Sequence, residues 1–185
     1  MSNSFRSLGV SALALALAAI GLRADEGMWT FDNLPVQQMK AKYGFAPDKA
    51  WLDHVRLSAV RFPGGSGSFI SADGLVLTNH HVGHHWTQSV SDPQHDYVKD
   101  GFVALDRAQE IKVPGLALYT LLEMENVTER VEKAAKPGMD EAAAAKAKAA
   151  ALEALVKEQG EKTGLACEPV SLYQGGQTWI YRYKK

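Results

Sequence analysis

Apolar and polar positions change rhythm several times along this 185-residue chain. Residues 8–22, "LGVSALALALAAIGL", form an uncharged apolar run behind Arg6. Such a run reads as a secretory signal, residues 1–24, cut after Ala24 to leave Asp25 first. It is short of the roughly 20 apolar residues that a spanning helix needs, so cleavage is favoured over a membrane anchor. Beyond it, "NLPVQQMKAKYG" predicts a short helix with Asn33 as N-cap, Pro35 in the first turn and Gly44 at the end. "DKAWLDHVRLS" predicts a second helix, capped by Asp48, with Trp51, Val55 and Leu57 near one face.

At Ser58 the period shortens. "SAVRF", "GSFIS" and "LVLTN" are runs rich in β-branched and aromatic residues, punctuated by Gly64-Gly65 and Asp73-Gly74. Asp-Gly between two apolar runs tolerates the positive φ of a tight turn, so Ser66 to Asn79 predicts a β-hairpin. Residues 87–110 are polar and turn-rich, and "IKVPGLALYTLLEMENV" predicts one or two strands broken at Pro114-Gly115. Residues 126–163 carry a helical pattern. Its densest part, "MDEAAAAKAKAAALEALVKEQGEK", has a narrow stripe of Ala145, Ala149, Leu152 and Val156 and stops at Gly160 and Gly164. "EPVSLYQGGQTWIYRYKK" returns to strand, with a hairpin around Gly175-Gly176. The pattern is still running at Lys185, which reads as a chain truncated inside a larger β-unit. Together these elements predict a mainly β chain with helical additions (α+β) and one long Ala-rich helix. No internal repeat is present.

Composition narrows the function classes. Apolar content of 46% and charged content of 22% are ordinary for a globular protein. The formal net charge is −1, and the one basic cluster is Arg182, Lys184 and Lys185, so no nucleic-acid partner is expected. The single cysteine, Cys167, cannot form an internal disulfide. It is a small apolar residue or half of a bridge to something outside this chain, the former being the commoner case.

The candidate chemistry lies in "LVLTNHHVGHHW", residues 75–86. His80/His84 and His81/His85 have the i,i+4 spacing of helical zinc ligands, with Asp92, His95 and Asp96 as conceivable outer ligands. Against a metal, no acidic residue lies within the cluster and Gly83 interrupts it. A second reading makes these loop histidines without a joint role, which suits His84 and His85; His54 on the predicted second helix and His95 in a polar loop read the same way, as residues without a joint role. The third is a single general base. A serine hydroxyl is a weak nucleophile until an imidazole takes its proton, and a carboxylate must orient that imidazole. A histidine delivered by the second strand of a tight hairpin meets the demand for rigidity.

The segment "GSGSFISADGLVLTNHHV" is similar to the histidine segment of chymotrypsin-like serine peptidases. In that alignment His81 matches the catalytic base, His80 is structural, and Val82 stands where many relatives have Cys. With "EGMWTFDNLP", "TNHHVGHHWTQSVSDPQHDYVKDGF", "VPGLALYTLLEMENVTERV" and "SLYQGGQTWIYRYKK", the chain after Ala24 resembles bacterial serine dipeptidyl-peptidases of the dipeptidyl-peptidase 7 and 11 type. Endopeptidases of the high-temperature-requirement type share the histidine segment but are not expected to carry the Trp29 segment or "HDYVKDGF".

The resemblance implies an exported, periplasmic or secreted exopeptidase that releases dipeptides from peptides with a free N-terminus. It implies a chymotrypsin-like double β-barrel with an inserted helical domain that caps the cleft, a homodimer, and neither a metal nor an organic cofactor. No stable membrane span is expected after signal cleavage. Residues 25–185 would be the N-terminal part of the peptidase domain, with the N-terminal barrel only. The resemblance also places the orienting Asp and the nucleophilic Ser beyond residue 185. Ser66 and Ser68 then read as small residues of a tight strand, and Asp92, Asp96 and Asp100 as turn caps. His81 would lack both partners, and the fragment would be inactive alone. The alternatives are an exported non-enzymatic binding module and a histidine-cluster metal binder.

Overall fold

The computed structural model describes residues 27–185, so the expected signal segment lies outside the described residues. The chain divides into two units, Met1–Ala46 and Pro47–Lys185. In the first, α1 (Val36–Tyr43) starts from Pro35 rather than from Asn33. Proline's fixed φ and missing N–H suit a helix start, while the Asn33 N–H bonds the Thr30 carbonyl in a preceding turn. Gly44 ends the helix in the left-handed region, its N–H on the Lys40 carbonyl.

The second unit opens with α2 (Lys49–Ser58), capped as expected by the Asp48 carboxylate, which accepts from the Trp51 N–H at 2.8 Å. Of its expected face Val55 is half-buried, while Trp51 and Leu57 stay 44% and 42% exposed. Arg56 turns inward instead. Its Nη1 donates to the Leu121 and Leu122 carbonyls, beside a bulge in the strand Thr120–Asn126. Bulges leave backbone groups without ladder partners, and a guanidinium is long enough to supply one.

Strands β1 (Ala59–Phe62), β2 (Gly65–Phe69) and β3 (Val76–Thr78) form an antiparallel sheet in that order. The expected β2–β3 hairpin is present. Ile70 N–H bonds the Leu75 carbonyl at 2.9 Å, and Gly74 takes φ +87° in the turn. Helices α3 (His80–Ser89) and α4 (Tyr97–Asp100) follow. The rest comprises β4 (Thr120–Asn126), α5 (Thr128–Glu132), α6 (Glu141–Thr163), β5 (Ala166–Leu172) and β6 (Gln177–Lys184). The second sheet is antiparallel in the order β4-β6-β5. Its β5–β6 turn passes through Tyr173, Gln174 and Gly175, all at positive φ, one step earlier than the expected Gly-Gly pair. The chain is thus mixed α+β with antiparallel sheets, and richer in helix than its β-rich runs suggest: α6 alone has 23 residues. No helix among the described residues is long and apolar enough to cross a membrane.

Two small cores hold the unit together. Val60, Phe62 and Val82 form one, and Val127, Val131 and Ile180 the other. Leu152, Leu155 and Val156 of α6 pack on the second core together with Cys167, which is a free thiol in a half-buried, apolar place. These large side chains set the rotation of α6. Ala145 and Ala149, expected in its stripe, face solvent, while Ala144, Ala147 and Ala151 turn inward. Gly160 remains helical and Gly164 alone ends the helix, at φ +68°.

Among the described residues one β-bridge joins the sheets. Arg61 N–H donates to the Tyr119 carbonyl at 2.8 Å, and Tyr119 N–H returns a bond to the Arg61 carbonyl at 3.0 Å. The strand order becomes β3-β2-β1-β4-β6-β5 through that bridge. The Arg61 guanidinium lies 4.3 Å from the Tyr183 ring centroid and 5.3 Å from that of Tyr119. It also donates a fork of 2.6 and 2.7 Å bonds to Glu168 of β5. A second cation, Arg182, donates to Glu123, Glu125 and the buried Gln159 at 2.8, 2.7 and 3.0 Å, tying α6 to β4 and β6.

Arg61→Ala removes a half-exposed fork and two ring contacts together, and should cost about 2 kcal/mol in urea unfolding. The bond from Arg61 holds the Glu168 carboxyl below the usual glutamate range. A lowered folded-state pKa stabilises fully above that range and stops doing so as pH falls through the lowered value. The Tm difference between the unaltered chain and Glu168→Gln should therefore shrink between about pH 6 and about pH 3.

Candidate functional site

The histidine segment is shaped by what precedes it. Thr78 closes β3, and its hydroxyl donates to the Ser66 carbonyl at 2.8 Å, pinning the strand end to β2. Asn79 is extended at the N-cap of α3, and its carbonyl accepts from the Val82 and Gly83 N–H groups at 3.1 and 3.2 Å. The helix runs unbroken through Gly83, whose carbonyl accepts from the Thr87 hydroxyl at 3.1 Å. Successive helical residues are turned by about 100°, so neighbouring histidines face different ways.

Val82 is buried against Val60 and Phe62. His80, His84, Trp86 and Thr87 line a cleft of about 480 Å³ together with Tyr97, Phe102 and Ile111. The His80 and His84 rings meet edge to face at 5.4 Å, and His85 meets Trp86 at 5.3 Å. His81 is exposed and outside the cleft lining. Among the described residues no side chain hydrogen-bonds it, and neither Ser66 nor Ser68 is joined to it. The Ser68 hydroxyl instead donates to the Ser58 and Phe69 carbonyls at 3.3 and 3.1 Å.

The conceivable outer metal ligands are engaged elsewhere. Asp92 accepts from the Gln94 and His95 N–H groups at 2.8 and 2.9 Å and lies 3.2 Å from the His95 ring nitrogen. Bonding from His95, then from the Gln94 N–H, holds the Asp92 carboxyl below its usual range. Asp96 caps α4 through the Lys99 N–H at 3.1 Å. Among the described residues no three His, Cys, Asp or Glu side chains are grouped to hold a metal ion. The aromatic cleft behind α3 is absent from the sequence-based expectations. Its signal is the spacing of Trp86, Tyr97 and Phe102 through an otherwise polar stretch.

Residues 24–185 match the family described as Peptidase S46. Dipeptidyl-peptidase 7 of Capnocytophaga gingivalis is 31% identical over 183 residues, covering 95% of this chain and 26% of that protein. An Asp/Glu-specific dipeptidyl-peptidase of Porphyromonas endodontalis is 31% identical over 176 residues, covering 87% of this chain and 24% of that protein. The crystal structure of DPP11 of Porphyromonas endodontalis in complex with the dipeptide Arg-Glu is similar to this chain with a TM-score of 0.69 and 26% identity. The match covers 86% of this chain and 25% of that one. The chain thus spans about a quarter of the length of the relatives it matches.

His80 and His84 share a face of α3, but among the described residues no third His, Cys, Asp or Glu joins them, so α3 should not take up zinc. Zinc should leave the Tm of the chain unchanged in scanning calorimetry, because only a ligand that binds the folded state raises it. A rise abolished by His80→Ala with His84→Ala would identify a metal centre.

Proposed function

The chain belongs to the peptidase S46 family, and on that premise we propose that it is the N-terminal portion of an exported serine-type dipeptidyl-peptidase, with His81 as its general base. The observation that carries this reading is the placement of His81. It stands exposed in the first turn of a helix that leaves a pinned hairpin, beside the one residue that anchors that helix in the core. His81 takes the proton of a serine hydroxyl as that oxygen attacks the carbonyl of the second residue of a peptide. It then returns the proton to the leaving amine. The hydroxyl and the carboxylate that orients the ring come from sequence beyond residue 185, so the 185-residue piece is inactive alone.

Residues 1–24 act as the signal and direct the protein to the periplasm or beyond, and residues 25–185 form the N-terminal part of the peptidase domain. The order β3-β2-β1-β4-β6-β5, linked through Arg61 and Tyr119, supports one barrel of a chymotrypsin-like pair. Leu75 and Leu77, 62% and 63% exposed on and beside the short edge strand β3, suit a surface that meets the second barrel. The substrates are peptides with a free N-terminus, the complete protein is a homodimer, and the chemistry uses no metal or organic cofactor.

Sequencing the coding region past residue 185 tests this reading. It requires an in-frame Asp and a Ser in a Gly-rich segment; a continuation without them overturns it. In the polypeptide so completed, His81→Ala should lower kcat/KM for release of a chromogenic dipeptide by at least about 10⁴-fold. His80→Ala should lower it by less than about tenfold, and retained activity in His81→Ala removes that residue from the role.

A further inference from the structure

We propose that the contact between Gly65 and Val82 is the device that positions His81, an inference that rests on reading His81 as the base. Strand β2 reads Gly65-Ser66-Gly67-Ser68, so the two glycines share one face. Gly65 does not have its φ in the left-handed region, so conformational freedom is not what it supplies. It supplies room. A methyl group there would lie 2.3 Å from Cγ2 of Val82, and one at Gly67 would lie 2.6 Å from the Leu77 carbonyl oxygen. The bare backbone of β2 thus lets both β3 and α3 settle directly onto it.

Val82 is the only buried residue of α3, and the Asn79 side chain makes no cap bond to the first turn. The depth to which Val82 sinks over Gly65 therefore sets the height and rotation of that turn. His81 is the residue next to it. Thr78, bonded to the Ser66 carbonyl, holds the strand on the other side of Asn79. His81 is clamped between a pinned strand end and a seated valine, and nothing else among the described residues bonds its ring. Proton transfer depends steeply on such placement, since a misplacement of about 1 Å can cost about 10²-fold in rate.

The contact can be altered and restored. Ala at both positions leaves the new methyl 3.4 Å from the Cβ of residue 82, an ordinary van der Waals separation. Gly65→Ala alone, Val82→Ala alone and the double variant therefore form a cycle, read in the 185-residue chain by the ring-carbon NMR resonances of its histidines. Each single variant should move the His81 resonance while leaving those of His54 and His95 in place, and the double variant should return it. A folded Gly65→Ala with His81 unmoved overturns the proposal, as does a double variant displaced as far as the single one. If Gly65→Ala does not fold, a folded double variant with the native His81 resonance supports the proposal. Failure of the double variant to fold overturns it.

In the completed polypeptide the same cycle should appear in turnover. Gly65→Ala should lower kcat by about 10²-fold with KM within about twofold, and the double variant should recover most of the loss. Unchanged kcat in Gly65→Ala, where His81→Ala is inactive, overturns the positioning role and leaves the base standing. An active His81→Ala removes the base, while the resonances still decide whether Gly65 and Val82 set the ring.

Discussion

The architecture depends on the double commitment of Arg61. Alternate residues of a strand point to opposite faces, and β1 uses both. Val60 and Phe62 go into the first core, under α3. Arg61, between them, goes the other way, sandwiched by Tyr119 and Tyr183 and forked onto Glu168. Its backbone is also the one bridge between the two sheets among the described residues. Each sheet alone has three strands and a core of three buried side chains, too little apolar burial to offset chain entropy by a wide margin. Joined at Arg61, they share an edge, and β1 is covered on both sides.

The other inward cations follow the same logic. Arg56 answers carbonyls at the β4 bulge, and Arg182 answers two glutamates and a buried amide. Long guanidinium side chains lie along apolar surface while their heads satisfy several acceptors at once. A chain with small cores gains order this way, because each arginine ties together elements far apart in sequence. Arg61 and Glu168 are 107 positions apart, and Arg182 and Glu123 are 59 apart.

Local signals are legible in the sequence and long-range ones are not. Asp73-Gly74 marks the β2–β3 turn, Asp48 marks a cap, and Gly44 and Gly164 mark helix ends, because each acts within a few residues of itself. The rotation of α6 is legible only in part: Leu152 and Val156 of the expected stripe pack on the second core, while alanines favour helix equally on every face and Ala145 and Ala149 point to solvent. The inward turn of Arg56 is hidden for a related reason: it answers a bulge 65 residues away. The bridge between Arg61 and Tyr119 leaves no mark in either local pattern. Gly65 reads as turn punctuation, whereas only the packing shows that a side chain there would collide with Val82. His81 stands out through resemblance, and its exposed place on α3 is a structural finding that neither spacing nor composition contains.

Density of histidines in sequence says little about shared chemistry once they lie on a helix. The rotation of about 100° per residue sends Val82 into the core, His80 and His84 into the aromatic cleft, and His81 to the outside. Two of the four meet each other ring to ring, one meets Trp86, and one meets no described partner. A base that serves groups on another part of a protein must be rigid on its own side and open on the other. On the proposed reading His81 is that base: of the four it alone adjoins the buried Val82, and among the described residues its ring makes no hydrogen bond or ring contact.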